Sequence, residues 1–179
     1  NILLAEDDDD VAQVVTRLLQ RMGHTVARFH DGKAAWDHLS GPKAGTQLTL
    51  FQKKYVALPG APLPKAIIGD AAKVKGTPFL GDPAANLQVL LPDEPAFDMA
   101  VNVFAYQPGG HLPFVEVHVM EHGLVMLGGA GVYRLENRWY PVQAGDAIWM
   151  ASYCAQWFVA MGKVPASYLY YKDVNRPAI

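Results

Sequence analysis

Residues 51–179 read as a mainly β chain closed into a barrel or sandwich, with a short βαβα segment ahead of it. Three observations lead there. From Leu87 onward, short apolar runs recur with Gly or Pro between them. Helical periodicity is almost confined to the first 40 residues. The texture also changes abruptly after SGPKAGTQLT, a Gly, Pro, Ser and Thr rich stretch over residues 40–49. Many short strands separated by turn signals are the mark of all-β architectures. The expected organisation is a fragment over residues 1–40, a linker over 41–50 and a β-barrel over 51–179.

In the first segment, Ile2-Leu3-Leu4-Ala5 is an apolar run ending in acids, the pattern of a buried parallel strand. Apolar residues at 11, 14, 15, 18, 19 and 22 give Val11–Met22 a helical period, and Gly23 ends it. Thr25–Phe29 reads as a second strand and Gly32–Leu39 as a short second helix. The order ILLAEDDDD, GHTV, DGKAAWDHL resembles the opening of a response-regulator receiver domain. That resemblance implies that an acidic pair, Asp7 and Asp8 or their neighbours, helps hold Mg²⁺. It stops near Ser40, before any third strand with a phosphate-accepting aspartate. The hydroxyl and lysine of that family are also missing, so phosphorelay is not expected. A non-functional receiver-like fragment with a solvated acidic run is.

Beyond the linker, strands are expected at Leu87–Leu91, Met99–Tyr106, Val132–Leu135, Trp139–Val142, Ala147–Met150, Trp157–Ala160 and Ser167–Tyr171. Half the residues are apolar, enough for a sizeable core, and no internal repeat interrupts this half. Fifteen basic against seventeen acidic residues, with no basic block, give nucleic acid and anionic membranes nothing to recognise. A single cysteine, Cys154, rules out an internal disulfide and fits a reducing, cytoplasmic compartment. No apolar run approaches the roughly 18 residues of a spanning helix. The opening residues run straight into acids, unlike a secretory signal. The chain begins at Asn1 rather than Met, which points to a start further upstream.

The chemistry concentrates in PGGHLPFVEVHVMEHGLVMLGG, residues 108–129. Glu116, His118 and His122 stand at i, i+2 and i+6 there, so an extended chain would project all three to one side. Two imidazoles and a carboxylate are a donor set for a divalent cation. The bracketing glycines suggest a tight hairpin carrying them. By itself the triplet is equally compatible with a solvated sheet face. Glu121, on the opposite parity, and His111 are expected at the surface, and Cys154 is expected to pack without chemistry.

The spacing Gly110-x5-Glu116-x-His118-x3-His122-x6-Gly129 resembles the first signature of the cupin superfamily of jelly-roll β-barrels, with the ligand order permuted to Glu, His, His. Gly145-Asp146 opens the second signature, with Gln156 where a histidine is usual and Ala151 where proline is usual. Ser152 and Ala155 also replace prolines. FLGD, LLPDEPAFDMAVNVF, LPFVEVHVMEHGL, GVYRL, WYPVQAGDAIWM, QWF and YYKDVNR are together similar to the C-terminal cupin of (S)-ureidoglycine aminohydrolases, two-cupin enzymes of allantoin breakdown.

This resemblance implies a metal site made by Glu116, His118, His122 and Gln156. The amide donor favours Mn²⁺, with Fe²⁺ and Zn²⁺ as alternatives. It places Tyr133, Tyr168 and Lys172 in the pocket of a small ureide substrate, Lys172 facing the substrate carboxylate. Glu116 and Lys172 are the candidate catalytic residues, Glu116 as proton carrier. The tyrosines could instead simply fill the barrel, and a buried Lys172 could be paired with Asp173. The first cupin half of the family is absent, so an exposed apolar face and a homo-oligomer are expected. Two further readings stay open: a metal-binding module without turnover, and another cupin reaction such as isomerisation or dioxygenation.

Overall fold

A computed structural model of the chain describes residues 53–176 except 66 and 68, together with 2–5, 13, 16, 17, 20, 26–29, 49 and 51. The chain divides into two compact units, Asn1–Gln52 and Lys53–Ile179.

In the first unit, β1 (Ile2–Ala5) and β2 (Val26–Phe29) pair in parallel, Ile2 opposite Val26. Gln13, Thr16, Arg17 and Gln20 are helical. All four are polar and fall off the apolar stripe expected for Val11–Met22. Asp7, Asp8, the expected helix at 32–39 and all of the linker but Thr49 lie outside the described residues.

Among the described residues the second unit has nine strands: β3 (Thr77–Phe79), β4 (Asp82–Val89), β5 (Met99–Tyr106), β6 (His122–Gly128), β7 (Ala130–Leu135), β8 (Arg138–Gln143), β9 (Ala147–Met150), β10 (Gln156–Ala160) and β11 (Ala166–Asp173). A six-stranded sheet has the order β3-β4-β5-β11-β6-β9, and a three-stranded sheet the order β10-β7-β8. All pairings in both are antiparallel. A lone 3₁₀ turn, Ala71–Lys73, is capped by the Asp70 carboxylate, which accepts from Ala72 N–H at 3.0 Å. Among the described residues no helix is long and apolar enough to cross a membrane.

The alternation that marks a strand is plainest in β11. Ala166, Tyr168 and Tyr170 are buried while Ser167, Leu169 and Tyr171 are half-buried. Its position between β5 and β6 aligns three inward rows. Tyr168 faces Phe104 and Met126; Tyr170 faces Asn102 and Leu124; Lys172 faces Ala100 and His122. The first two rows belong largely to the core, where Phe104, Tyr106, Tyr133, Phe158, Tyr168 and Tyr170 pack ring against ring at centroid distances of 5.0–6.5 Å. The third row is polar, and it opens onto the site.

The chain passes from one sheet to the other at Gly129, between β6 and β7. Its φ is +69°, and a Cβ there would come within 2.4 Å of Pro165 O and 2.6 Å of Ala166 Cα. Only glycine meets both demands.

The expected ligand-bearing strand does not form. Residues 111–121 run irregularly, touching β10 through isolated bridges, His111 to Val159 and Glu116 to Gln156. Pro113 has no N–H to give a ladder, and Phe114, Val115 and Val117 remain exposed, so no apolar face pulls this segment flat onto a sheet. His122 alone of the three sits in a regular strand.

Lys172 and Asp173 are not partners. Asp173, buried on the opposite face of β11, forms an ion pair with Lys53 at 3.0 Å. Lys53 Nζ also donates to Asp98 O at 3.3 Å and Arg176 O at 3.4 Å. Beside it, Val56 N–H donates to Asp98 Oδ2 at 3.2 Å and Tyr55 O–H to Ala96 O at 3.0 Å. Residues 53–56 are thereby fastened to the turn before β5 and to the chain end after β11.

Candidate active site

A cavity of about 240 Å³ opens between the sheets. Glu116, His118, His122, Tyr133, Tyr168 and Lys172 all line it, against an apolar wall that includes Phe79, Leu87, Phe104 and Leu124. All these expected site residues except Gln156 therefore share one chamber wall. Gln156, almost fully buried at the start of β10, reaches the same cluster through hydrogen bonds.

Two backbone hydrogen bonds place the amide. Glu116 N–H donates to Gln156 O at 2.8 Å, and Gln156 N–H donates to Glu116 O at 2.9 Å. The irregular arm and β10 are clamped together here, which brings the two signatures into contact. His118 Nδ1 lies 2.9 Å from Met120 O. A carbonyl only accepts, so Nδ1 carries the proton and Nε2 presents a lone pair. Gln156 Nε2 is 3.3 Å from that lone pair and 3.1 Å from His122 Nδ1. The imidazole rings lie 4.4 Å apart, centroid to centroid.

Both imidazoles are held neutral. Burial lowers the pKa of His118, and burial with the neighbouring His118 and Lys172 lowers that of His122 to about 3. Neutral imidazole is the form that binds metals. Burial acts the other way on Glu116, raising its carboxyl pKa, with the Lys172 ammonium opposing the rise.

The fit to a divalent cation rests on this donor set. Donors bonded to one cation at about 2.1 Å stand about 3 Å apart, close to the two separations found here. His122 Nε2 is buried without a hydrogen-bond partner, so the ring is not fully satisfied by protein groups alone. The amide is in the wrong sense for a metal: its NH₂ faces the imidazoles while Oε1 accepts from Tyr133 O–H at 2.8 Å. A half-turn of the carboxamide would present the oxygen instead, with Tyr133 Oη then accepting, as a hydroxyl can. Among the described residues no three His, Cys, Asp or Glu side chains form a metal-binding group. The converging donors are two imidazoles and an amide, with the Glu116 carboxylate on the wall of the same cavity.

Comparison with solved structures identifies the architecture. An RmlC-like cupin from Shewanella frigidimarina superposes with a TM-score of 0.52 over 64% of this chain and 93% of its own, at 11% identity. The fold is that of a cupin. A second structure, protein Ylba from E. coli, matches with a TM-score of 0.58 at 35% identity, over 70% of this chain and 47% of that one. No family model matches the sequence. Among curated proteins, the (S)-ureidoglycine aminohydrolase of Arabidopsis thaliana is 44% identical over 131 residues, 72% of this chain and 43% of that enzyme. The (S)-ureidoglycine aminohydrolase of Escherichia coli is 37% identical over 132 residues, 73% and 50% of the two chains. The chain spans half or less of the length of the curated relatives it matches.

His111 is exposed, its ring beside Trp157. Glu121 accepts from Tyr171 O–H at 3.0 Å and is not among the residues lining the cavity. Cys154 packs partly buried against the core. Tyr133 and Tyr168 are both core residues and cavity residues; Tyr168 shares a 2.9 Å hydrogen bond with Tyr106. The reading of the sequence did not single out Tyr170 and Asn102, which also line the cavity. A signal existed for each. Tyr170 has the same strand parity as Tyr168 and Lys172, and Asn102 is the one strongly polar residue in MAVNVFAY.

Proposed function

We propose that this cupin catalyses Mn²⁺-dependent hydrolysis of (S)-ureidoglycine to (S)-ureidoglycolate and ammonia, a step of allantoin breakdown, in the cytoplasm. The observation that carries the reading is that the Gln156 amide meets His118 and His122, which line one cavity together with Glu116 and Lys172. The similarity to the aminohydrolases over most of this unit supports the substrate.

His118 Nε2, a nitrogen of His122, Gln156 Oε1 after its half-turn and the Glu116 carboxylate would hold the ion. A divalent cation held there would supply a Lewis acid for a chelating substrate and for water. The chain's own groups supply the rest. Lys172, on the His122 row of the six-stranded sheet, offers an ammonium to the substrate carboxylate. The neutral imidazoles keep their lone pairs for binding. Glu116, its proton affinity raised by burial, takes a proton from the incoming water and returns one to the departing amine. One C–O bond forms, one C–N bond breaks, and the amine leaves as ammonia. The apolar wall sheds water from the remainder of the substrate.

The test is ammonia release from (S)-ureidoglycine by the full chain with added Mn²⁺, alongside metal analysis. Metal uptake without ammonia release favours a binding or sensing module that has lost turnover. A Glu116→Gln protein that retains metal and turns over normally removes Glu116 from the proton transfers.

A further inference from the structure

The chain between β4 and β5, residues 90–98, belongs to neither sheet, yet it supplies part of the chamber wall. Leu91, Pro92 and Asp93 line the cavity. Leu90 N–H and Leu91 N–H both donate to Val101 O, at 2.9 and 3.3 Å, which sets this rim next to Ala100, the partner of Lys172 on β11. The rim therefore stands at the end of the chamber where Lys172 offers its ammonium.

Its crown is gripped by side chains from the segment after β11. Asn175 Nδ2 donates to Glu94 O at 3.1 Å and to Phe97 O at 2.8 Å. Arg176 Nη1 donates to Pro95 O at 2.6 Å and Nη2 to Ala96 O at 3.2 Å. Four successive carbonyls are thus caught by two successive side chains. Carbonyls only accept, so both contacts of Asn175 require its NH₂ end, and chemistry fixes the sense of the amide. The Arg176 guanidinium also lies over the Tyr55 ring, 5.3 Å from its centroid, while Tyr55 O–H donates to Ala96 O at 3.0 Å. Asn175 sits at φ +59°, a left-handed conformation that asparagine adopts more readily than most residues. A loop tied only at its ends samples other positions, and a ligand that needs it in place binds more weakly for that reason. An open rim also lets water and salt screen an ammonium–carboxylate contact.

We propose that Asn175 and Arg176 are positioning residues for the reaction. They hold Leu91, Pro92 and Asp93 at the Lys172 end of the chamber, so that water is kept from the contact between the ammonium and the substrate carboxylate. This rests on the ureide reading above, and the two can fail separately.

The experiment uses the Mn²⁺-loaded full chain. Asn175→Gly keeps the left-handed backbone and removes both donors. Arg176→Met removes the fork and keeps an apolar stem, and Arg176→Lys restores a charge without the fork. Affinity for N-carbamoylglycine is measured by calorimetry at low and high salt, beside kcat and KM for ammonia release from (S)-ureidoglycine. Asn175→Gly and Arg176→Met are each expected to weaken the ligand and raise KM about three- to tenfold, with kcat and Mn²⁺ affinity within about twofold of the wild type. Their ligand affinity should fall more steeply with salt than that of the wild type, and Arg176→Lys should lie between. Asn175→Gly, which relieves the backbone at φ +59°, carries the test if Arg176→Met does not fold. Wild-type affinity and salt dependence in the folded variants, or a loss of Mn²⁺ affinity equal to the loss of ligand affinity, overturns the assignment. Ammonia release with unchanged KM in the variants removes the clasp and leaves the aminohydrolase. Ligand binding that weakens in the variants, without ammonia release in any protein, does the reverse. A wild type that neither binds N-carbamoylglycine nor releases ammonia overturns both.

Discussion

The Tyr133 hydroxyl donates to Gln156 Oε1 at 2.8 Å, and this bond braces the carboxamide that meets His118 and His122. Both partners are almost wholly buried, so neither has water as an alternative. Because a hydroxyl can donate or accept, Tyr133 can brace the carboxamide in either sense. In Tyr133→Phe the brace is lost in both. A lost hydrogen bond of about 0.5–1.5 kcal/mol corresponds to a Mn²⁺ affinity lower by about 2- to 12-fold, read by titration calorimetry. An unchanged affinity would show that the amide is positioned by the Glu116–Gln156 backbone clamp alone.

Metal binding should stabilise the barrel end where the two signatures meet. An ion that binds only the folded chain adds about 2.7 kcal/mol at a hundredfold excess over Kd. The wild type should therefore gain several degrees in Tm with Mn²⁺ and lose them with a chelator. Gln156→Leu and His118→Ala should show a much smaller shift. Equal shifts in all three proteins would place the binding elsewhere.

The metal-free protein should weaken in mild acid. Burial holds His122 at about 3 in the folded chain against 6.5 for an unperturbed imidazole. The unfolded chain takes up this proton near 6.5 and the folded chain does not until about 3. The contribution of His122 to stability is thus intact above 6.5 and declines as pH falls from there towards 3. His118 is shifted in the same direction. Denaturant unfolding in the presence of a chelator, compared between wild type and His122→Phe, isolates the term. The slope between pH 6.5 and 4 should be shallower in the variant.

Lys53 is expected to matter far more than a surface lysine. Its ammonium faces Asp173, whose side chain is only 3% exposed, and it ties down two further carbonyls. Removing one partner of a buried pair strands the other charge, which costs about 3–5 kcal/mol in full burial and less here because Lys53 is 22% exposed. Lys53→Met should lower stability by about 2 kcal/mol, and adding Asp173→Asn should restore part of it. Urea unfolding of the single and double variants checks both.

Gly129→Ala tests the corner between the sheets. A side chain at φ +69° within 2.4 Å of a carbonyl must displace Pro165 or unwind the turn. The expected result is a loss of more than about 2 kcal/mol or insoluble protein. Gly145→Ala, also at positive φ but with open space around it, should cost less.

Much of this molecule was legible in the order of its residues. Short apolar runs and Gly/Pro punctuation located six strands between Met99 and Tyr171, because each buries one face and the turns need residues with unusual φ, while the run expected at Leu87–Leu91 caught only the end of β4, which spans Asp82–Val89. Glu116, His118, His122, Tyr133, Tyr168 and Lys172 could be named because their spacing and flanking motifs are local, and all of them line one cavity. What local pattern could not supply was whatever depends on pairing between distant segments. The extended, alternating presentation of Glu116 and His118 failed because a strand is made by its neighbours, and this arm meets β10 at isolated bridges only. Asp173 found Lys53, 120 residues earlier, rather than adjacent Lys172, since β11 sends neighbouring side chains to opposite faces. The bracing of the Gln156 amide by Tyr133, from another strand, was likewise decided only when the sheets closed. Residue identity determined which chemistry was available; the pairing of strands far apart in the chain determined which groups could reach one another.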